Sequence, residues 1–275
     1  MSLSGIKALT FDTGGTVLDW HTGFREAFAA AGQRHEINRD WGQIANRFRG
    51  LSLEMMLDLG ADGPPEYNFD EAHELSLGTL LREEGLDVFD DADRHRIAWE
   101  APHRLAAWPD VREGLAALRE RYIVASFTLL SYRLVVDSSR RNGLSWDAVL
   151  SCEGLGVYKL LPEAYLRAAK RLQLAPEECL MVACHPFDLD AAAKVGFRTA
   201  LVRRPAEWGD NPSERPAMPP HGTYDIEVDS IAELSGEIKK VFSGFIWFCV
   251  TFTLAPLKQW PSLRLGSTPE KLLTF

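Results

Sequence analysis

Basic surface is in short supply along these 275 residues: 30 Lys and Arg stand against 39 Asp and Glu, a formal net charge of −9. No basic stripe stands out, which argues against a nucleic-acid partner. A single Lys or Arg inside a pocket can still receive a small anionic substrate. Cysteine is scarce as well. Cys152, Cys179, Cys184 and Cys249 form no C-x-x-C pair, so zinc-binding and redox motifs are absent. The start, MSLSGIKALTF, carries no secretory signal and runs almost directly into an apolar segment. Reduced thiols and a cytoplasmic location are therefore expected. Long apolar runs are missing too. Even VFSGFIWFCVTFTLAP falls short of the roughly 20 uninterrupted residues a spanning helix needs, so no membrane partner is expected. No internal repeat is visible. What remains is ordinary globular composition, 46% apolar and 25% charged. The length suits a core domain with a smaller inserted one.

Two patterns divide the chain. Residues 6–11 read as a buried strand. From 20 to 105 the periodicity is helical: Thr22 to about Gly32 (Phe24, Ala27, Phe28, Ala31), then 39–60 (Trp41, Ile44, Phe48, Leu51, Met55, Leu59), then about 70–84 and 90–101. From about 110 onward, short apolar runs alternate with helical stretches. Strands are expected at 122–127, 148–153, 178–183 and 198–202. Helices are expected from Asp110 to Arg119 and near 131–142, 162–173 and 188–195. That alternation predicts an α/β fold with a parallel sheet, which binds ligands at the carboxyl ends of its strands. Pro- and Gly-rich 203–223 reads as a surface loop.

Four polar residues follow strands in chain order. Asp12 precedes Thr13-Gly14-Gly15-Thr16; the glycines let the backbone turn sharply, and Thr16 can bond a carboxylate or a substrate oxygen. Thr128 can orient an anion or cap a helix. Lys159 can keep Asp12 ionised and stabilise a departing anion, or be a solvated loop lysine. Asp188 opens a helix, as a cap or as a site residue, with Asp190 an equal candidate for the role. Each has a structural alternative on its own; the ordered set points to one shared site.

Over roughly 6–205 this set resembles the four motifs of the haloacid dehalogenase superfamily. AWPDVREGLAALRERY and KLLPEAYLRAAKRLQLAPEECLMVA are similar to its L-2-haloacid dehalogenase branch. The resemblance implies a Rossmann-like, doubly wound core (1–19 and 106–240) with an inserted helical cap (20–105). Residues 241–275 read as an appendage to the core fold or as an extra packed segment. It also implies that Asp12 attacks the substrate carbon and forms an ester that water hydrolyses. Lys159 would hold Asp12 charged, Thr128 and Thr16 would steady substrate and intermediate, and Asp188 would position or activate water. Tyr165 falls where the branch has a tyrosine near the site. A dimer through the cap is the family-based expectation.

Departures from the pattern narrow the chemistry. Phosphatases of the superfamily carry a second aspartate two residues after the nucleophile, where this chain has Gly14. They bind Mg²⁺ through acidic residues of the last motif, the first of which is here Cys184, a poor ligand for a hard cation. Carbon–halogen hydrolysis needs neither metal nor leaving-group acid, so no cofactor is expected; Mg²⁺ belongs only to a phosphatase-like alternative. The branch also places an arginine early in the cap. Aligned through RDWGQIANRF, that position is Gly42, with Arg39, Arg47 or Arg49 as substitutes from a neighbouring turn. Leu129 replaces an asparagine, Ala183 a serine, and His185 another asparagine, from which it could position water or take its proton. Trp41, Tyr165, Phe187 and Trp20 are candidates to line an apolar pocket between cap and core, the alternative being plain core packing. A chain that keeps the fold without activity is the third reading. Asp12→Asn is expected to abolish chemistry while leaving the fold, with a stability change under about 1 kcal/mol, as for a surface substitution; a large loss would make Asp12 mainly structural.

Overall fold

Ala8–Phe11 (β1) is buried at every position, and so are Cys179–Ala183 (β4) and all but the first residue of Arg198–Val202 (β5). Strands covered on both faces read as continuous apolar runs rather than alternating ones, which is why they were visible in the sequence. The structure, a computed structural model, describes residues 3, 5–57, 68–210 and 217–246. Ile123–Thr128 (β2), Ala148–Ser151 (β3) and Ile226–Val228 (β6) complete a six-stranded sheet. All five pairings are parallel, in the order β3-β2-β1-β4-β5-β6. β1 lies in the middle, with Phe11 level with Ser126 on one side and Val182 on the other. Asp12 therefore leaves the sheet where the chain order changes direction, the position at which such folds bind ligands. The expected α/β, doubly wound architecture is present.

Among the described residues, helices are the only regular elements between β1 and β2. Trp20–Arg34 (α1) starts where the Asp19 side chain accepts from the Thr22 N–H at 3.0 Å. Its Phe24 and Phe28 meet Phe48 of Trp41–Leu57 (α2), with centroids 4.9 and 5.6 Å apart. Phe69–Glu84 (α3) opens with a capping box between Asn68 and Glu71 and closes on Gly85 at φ 65°. Asp91–His95 (α4), a π-turn at Arg96–Glu100 and Ala101–His103 (α5) finish the insertion. Asp93 of α4 ties back to α1 through Arg34 and His35. The chain leaves and rejoins the sheet domain side by side, the Asp19 N–H donating to the Ala106 carbonyl at 2.8 Å.

In the sheet domain, Val111–Arg119 (α6), Tyr132–Asn142 (α7), Cys152–Leu155 (α8), Pro162–Arg171 (α9) and Pro186–Lys194 (α10) connect the strands. Three expectations need correction. The run expected as a strand over 148–153 ends at Ser151, whose side chain turns it into α8 by accepting from the Glu153 N–H. Three-residue β6 gave too little pattern to be noticed. Ile231–Ile246 (α11) crosses the boundary drawn at 240, because it packs on α6 as part of the core. The remainder of the appendage, 247–275, lies outside the described residues.

The α6–α11 contact depends on the absence of a side chain at Gly114, where a Cβ would lie 2.7 Å from Ile231 Cγ2 and 3.0 Å from the Ala232 nitrogen. Gly114→Ala should therefore cost about 1–3 kcal/mol. At the exposed helical Gly236 a Cβ meets nothing within 4 Å among the described residues, so Gly236→Ala should be neutral or stabilise by up to about 1 kcal/mol. Urea unfolding of the two variants checks the contrast.

Candidate active site

The turn after β1 is held by its own backbone: Val17 and Leu18 donate to the Thr13 carbonyl, and Gly15, at φ 95°, donates to that of Leu18. This hairpin of chain brings Thr16 back over Asp12. The Thr16 hydroxyl donates to Asp12 Oδ2 at 2.8 Å and accepts the Cys184 N–H at 2.9 Å. Thr16 thus orients the carboxylate, which settles the choice left open in the sequence. Asp12 is buried, 8% exposed, so it is not a surface residue.

Lys159 arrives from the loop after α8. That loop leaves Gly156 at φ 65° and passes through Leu160 at φ 75°, a left-handed conformation that costs a branched side chain energy. Its ammonium donates to Asp12 Oδ1 at 2.9 Å and to Asp188 Oδ2 at 2.8 Å, and lies 4.9 Å from the centre of the Phe127 ring. Asp188, in the first turn of α10, does not cap the helix but turns to Lys159; its Oδ1 accepts from the Tyr165 hydroxyl at 2.6 Å. Asp190 accepts from Tyr224 instead. Tyr165 is fully buried beneath the site as a support for Asp188, and lines no part of the cavity above it. Burial by itself would raise the Asp12 carboxyl, but Lys159 and His185 hold it far below the usual carboxylate range. Burial likewise disfavours the Lys159 charge, and Asp12 with Asp188 more than offset it, so the ammonium stays protonated.

On the other side of Asp12 stands His185, with Nδ1 3.2 Å from Oδ2 and Nε2 2.7 Å from Glu207 Oε1. Glu207 is 5% exposed and also accepts from the Trp20 indole at 3.0 Å. The loop at 203–223, read as surface, therefore sends a carboxylate into the site. Arg204 anchors it by pairing with Asp110 and donating to the Thr16 carbonyl. Topology was the available signal, since Glu207 lies just past the carboxyl end of β5 as Asp12 does for β1. Burial opposes a charge on His185, while Cys184, Glu207 and Asp12 raise its pKa well above the ordinary imidazole value. The Cys184 thiol is itself pushed up to about 11 by burial beside Glu207, so the two carboxylates carry that effect.

A cavity of about 30 Å³ opens over Asp12, lined by Lys159, Thr128, Leu129, Phe187 and, from the cap, Arg49, Leu53 and Phe69. Thr128 is the last residue of β2 and accepts the Leu130 N–H; Ser131, not Thr128, caps α7. Of the three candidate arginines, Arg49 is the one that lines this cavity. Its guanidinium lies between the Trp20 and Phe69 rings, 5.5 and 5.6 Å from their centres, and Gly14 leaves it room. Among the described residues no ion pair or hydrogen bond engages it. Gly42, aligned to that role in the sequence, instead lies beside Asp40 and His21 and is not among the residues lining this cavity. Arg47 pairs with Glu83 and Glu84, and Arg39 donates to the Glu84 carbonyl. Trp41 is not a pocket residue either: it packs on Gly32 and Phe89 inside the cap. A larger groove of about 600 Å³ beside Arg39, Gln43 and Trp208 holds none of the motif residues.

Asp12, Cys184 and His185 offer donor atoms within 4.8 Å of one another. A thiol and an imidazole do not suit Mg²⁺, which takes oxygen ligands, and the Lys159 ammonium already occupies the other carboxylate oxygen of Asp12. The residues present do not fit that ion.

The family of haloacid dehalogenase-like hydrolases matches residues 6–196. The chain belongs to that family. It is 28% identical to (S)-2-haloacid dehalogenase 4A of Burkholderia cepacia, over 84% of this chain and 94% of that protein. It is 30% identical to an (S)-2-haloacid dehalogenase of Xanthobacter autotrophicus, over 72% and 76% of the two chains. The crystal structure of a defluorinating L-2-haloacid dehalogenase superposes with a TM-score of 0.77 at 34% identity, covering 85% of this chain and 95% of that one. Family membership and the parallel sheet agree with the resemblance drawn from the motifs.

Asp12→Asn removes one anion from a buried cluster and should cost about 2–3 kcal/mol at neutral pH, more than a surface position would. A carboxylate with a depressed folded pKa contributes stability above its ordinary value, 3.8, and loses it as pH falls below that. The difference between wild type and Asp12→Asn in urea unfolding should accordingly shrink in acid. A difference that is flat with pH would contradict the assignment.

Proposed function

We propose that this hydrolase cleaves the carbon–halogen bond of a small 2-haloacid through an ester on Asp12. The observation that carries the reading is the pairing of an ionised, buried Asp12 with the unpaired Arg49 guanidinium across a cavity whose apolar lining includes Leu53, Phe69, Leu129 and Phe187. The guanidinium receives the substrate carboxylate and the departing halide; the apolar wall accepts the carbon skeleton. An Asp12 oxygen attacks C2, the carbon–halogen bond breaks, and halide leaves with the bonding pair. No acid is needed, in keeping with Gly14 two residues beyond the nucleophile. Lys159 keeps Asp12 an anion until it reacts, and Asp188 and Tyr165 keep Lys159 in place. The names of the relatives support the same substrate class and the (S) stereoisomer. A cavity of about 30 Å³ admits about one water, so the substrate enters when cap and core part.

Halide release from (S)-2-chloropropanoate should persist in EDTA, and one turnover in H₂¹⁸O should leave the label in Asp12. EDTA-sensitive release of p-nitrophenol from its phosphate, without halide release, would instead favour a phosphatase. Arg49→Met should lower kcat/KM by about a hundredfold or more, the loss expected for an ionised hydrogen-bond donor to the substrate; an unchanged value would remove Arg49 from the site.

A further inference from the structure

Hydrolysis of the Asp12 ester needs a base, and the two carboxylate oxygens of Asp188 are already engaged, Oδ2 by Lys159 at 2.8 Å and Oδ1 by Tyr165 at 2.6 Å. His185 is placed differently. Its Nε2 is fixed by Glu207 at 2.7 Å, while Nδ1 faces Asp12 Oδ2 at 3.2 Å, beside the carbon that water must attack. We infer that His185, oriented by Glu207, is the base that takes the proton of the hydrolytic water; this rests on the aspartyl-ester reading above.

The surrounding charges give the reason. Asp12, Asp188 and Glu207 are buried anions, Lys159 and Arg49 buried cations, and a protonated His185 balances the sum. The groups facing its ring are Asp12 from the end of β1, Cys184 from the end of β4 and Glu207 from the loop after β5, with Arg49 of α2 opposite Glu207. In the resting enzyme His185 is thus a cation between two anions, and no base. Alkylation turns Asp12 into a neutral ester and removes one of the two anions. The ring then gives its proton to solvent, through a pocket of about 380 Å³ that borders His185 and Glu207 on the side of Pro186, Arg204 and Met218. Neutral His185 keeps Nε2–H on Glu207 and presents the Nδ1 lone pair. As water oxygen bonds to the ester carbon, Nδ1 takes its proton. The imidazolium returns that proton to the departing alkoxide, giving the hydroxy acid. The restored Asp12 carboxyl then passes its own proton to His185, which regenerates the starting charges. Net, water and haloacid become hydroxy acid, halide and one proton.

Gly15 belongs to the same device. A Cβ there would lie 2.2 Å from Glu207 Oε1 and 3.1 Å from His185 Cε1, so the turn must be bare for the pair to form.

The test is a single turnover of the full-length enzyme with (S)-2-chloropropanoate, quenched for intact mass and halide. His185→Gln and Glu207→Gln should still release one halide per chain and then accumulate the ester. Ester decay should slow about a hundredfold or more in His185→Gln, the usual contribution of a general base. In Glu207→Gln the pH profile of ester decay should move to lower pH, because the ring loses the anion that raises it; a purely structural Glu207 would leave that profile in place. Ester clearance at the wild-type rate in His185→Gln would overturn the assignment and return the role to Asp188. Loss of the halide burst in both variants would also overturn it, placing the pair in alkylation. A wild type that releases no halide would sink the dehalogenase reading itself.

Discussion

One ammonium group organises this site. Lys159 lies between Asp12 and Asp188, buried with both, and each carboxylate makes the charge of the lysine tolerable while the lysine makes theirs so. Three ions at this depth persist only together, since a buried charge without its partner costs several kcal/mol. The contact joins the end of β1, the loop after α8 and the first turn of α10. It is therefore a tertiary constraint as much as a catalytic one, and it demands the left-handed backbone at Leu160 that delivers the lysine.

The sheet makes that meeting possible. In the order β3-β2-β1-β4-β5-β6, the carboxyl ends of β1, β2, β4 and β5 are neighbours, so residues far apart in the chain emerge at one edge. Asp12, Thr128, Cys184 and Glu207 each follow or end one of these strands. The inserted helices then cover this edge and contribute Arg49, Leu53 and Phe69 to the cavity over Asp12.

This division explains what could be read from residues alone. Strands buried on both faces are apolar runs, and Asp12, Lys159 and Asp188 stand in the order of a known pattern, so sheet and ion cluster were legible. Arg49 was legible only as one of several arginines: the resemblance, aligned through RDWGQIANRF, pointed to Gly42, while the helix rotation that decides which residue faces the sheet comes from the packing of Phe48 on Phe24 and Phe28. Trp41 was drawn into the pocket as an aromatic residue and Tyr165 by its place in the family pattern, but one packs on Gly32 and Phe89 and the other supports Asp188 from below. Glu207 was hidden in a segment rich in Pro and Gly, where composition signals a loop and says nothing about which way a side chain turns. Short β6 carried no periodicity to detect.

Trp20 occupies an unusual place. It is the first residue of the first inserted helix; its indole nitrogen holds Glu207, and its ring face lies against Arg49. Any swing of that helix away from the sheet moves a rigid lever that touches both the group meeting the incoming acid and the group steadying the imidazole. Under the proposed reaction, a change at either of these groups is felt at the other through one aromatic side chain.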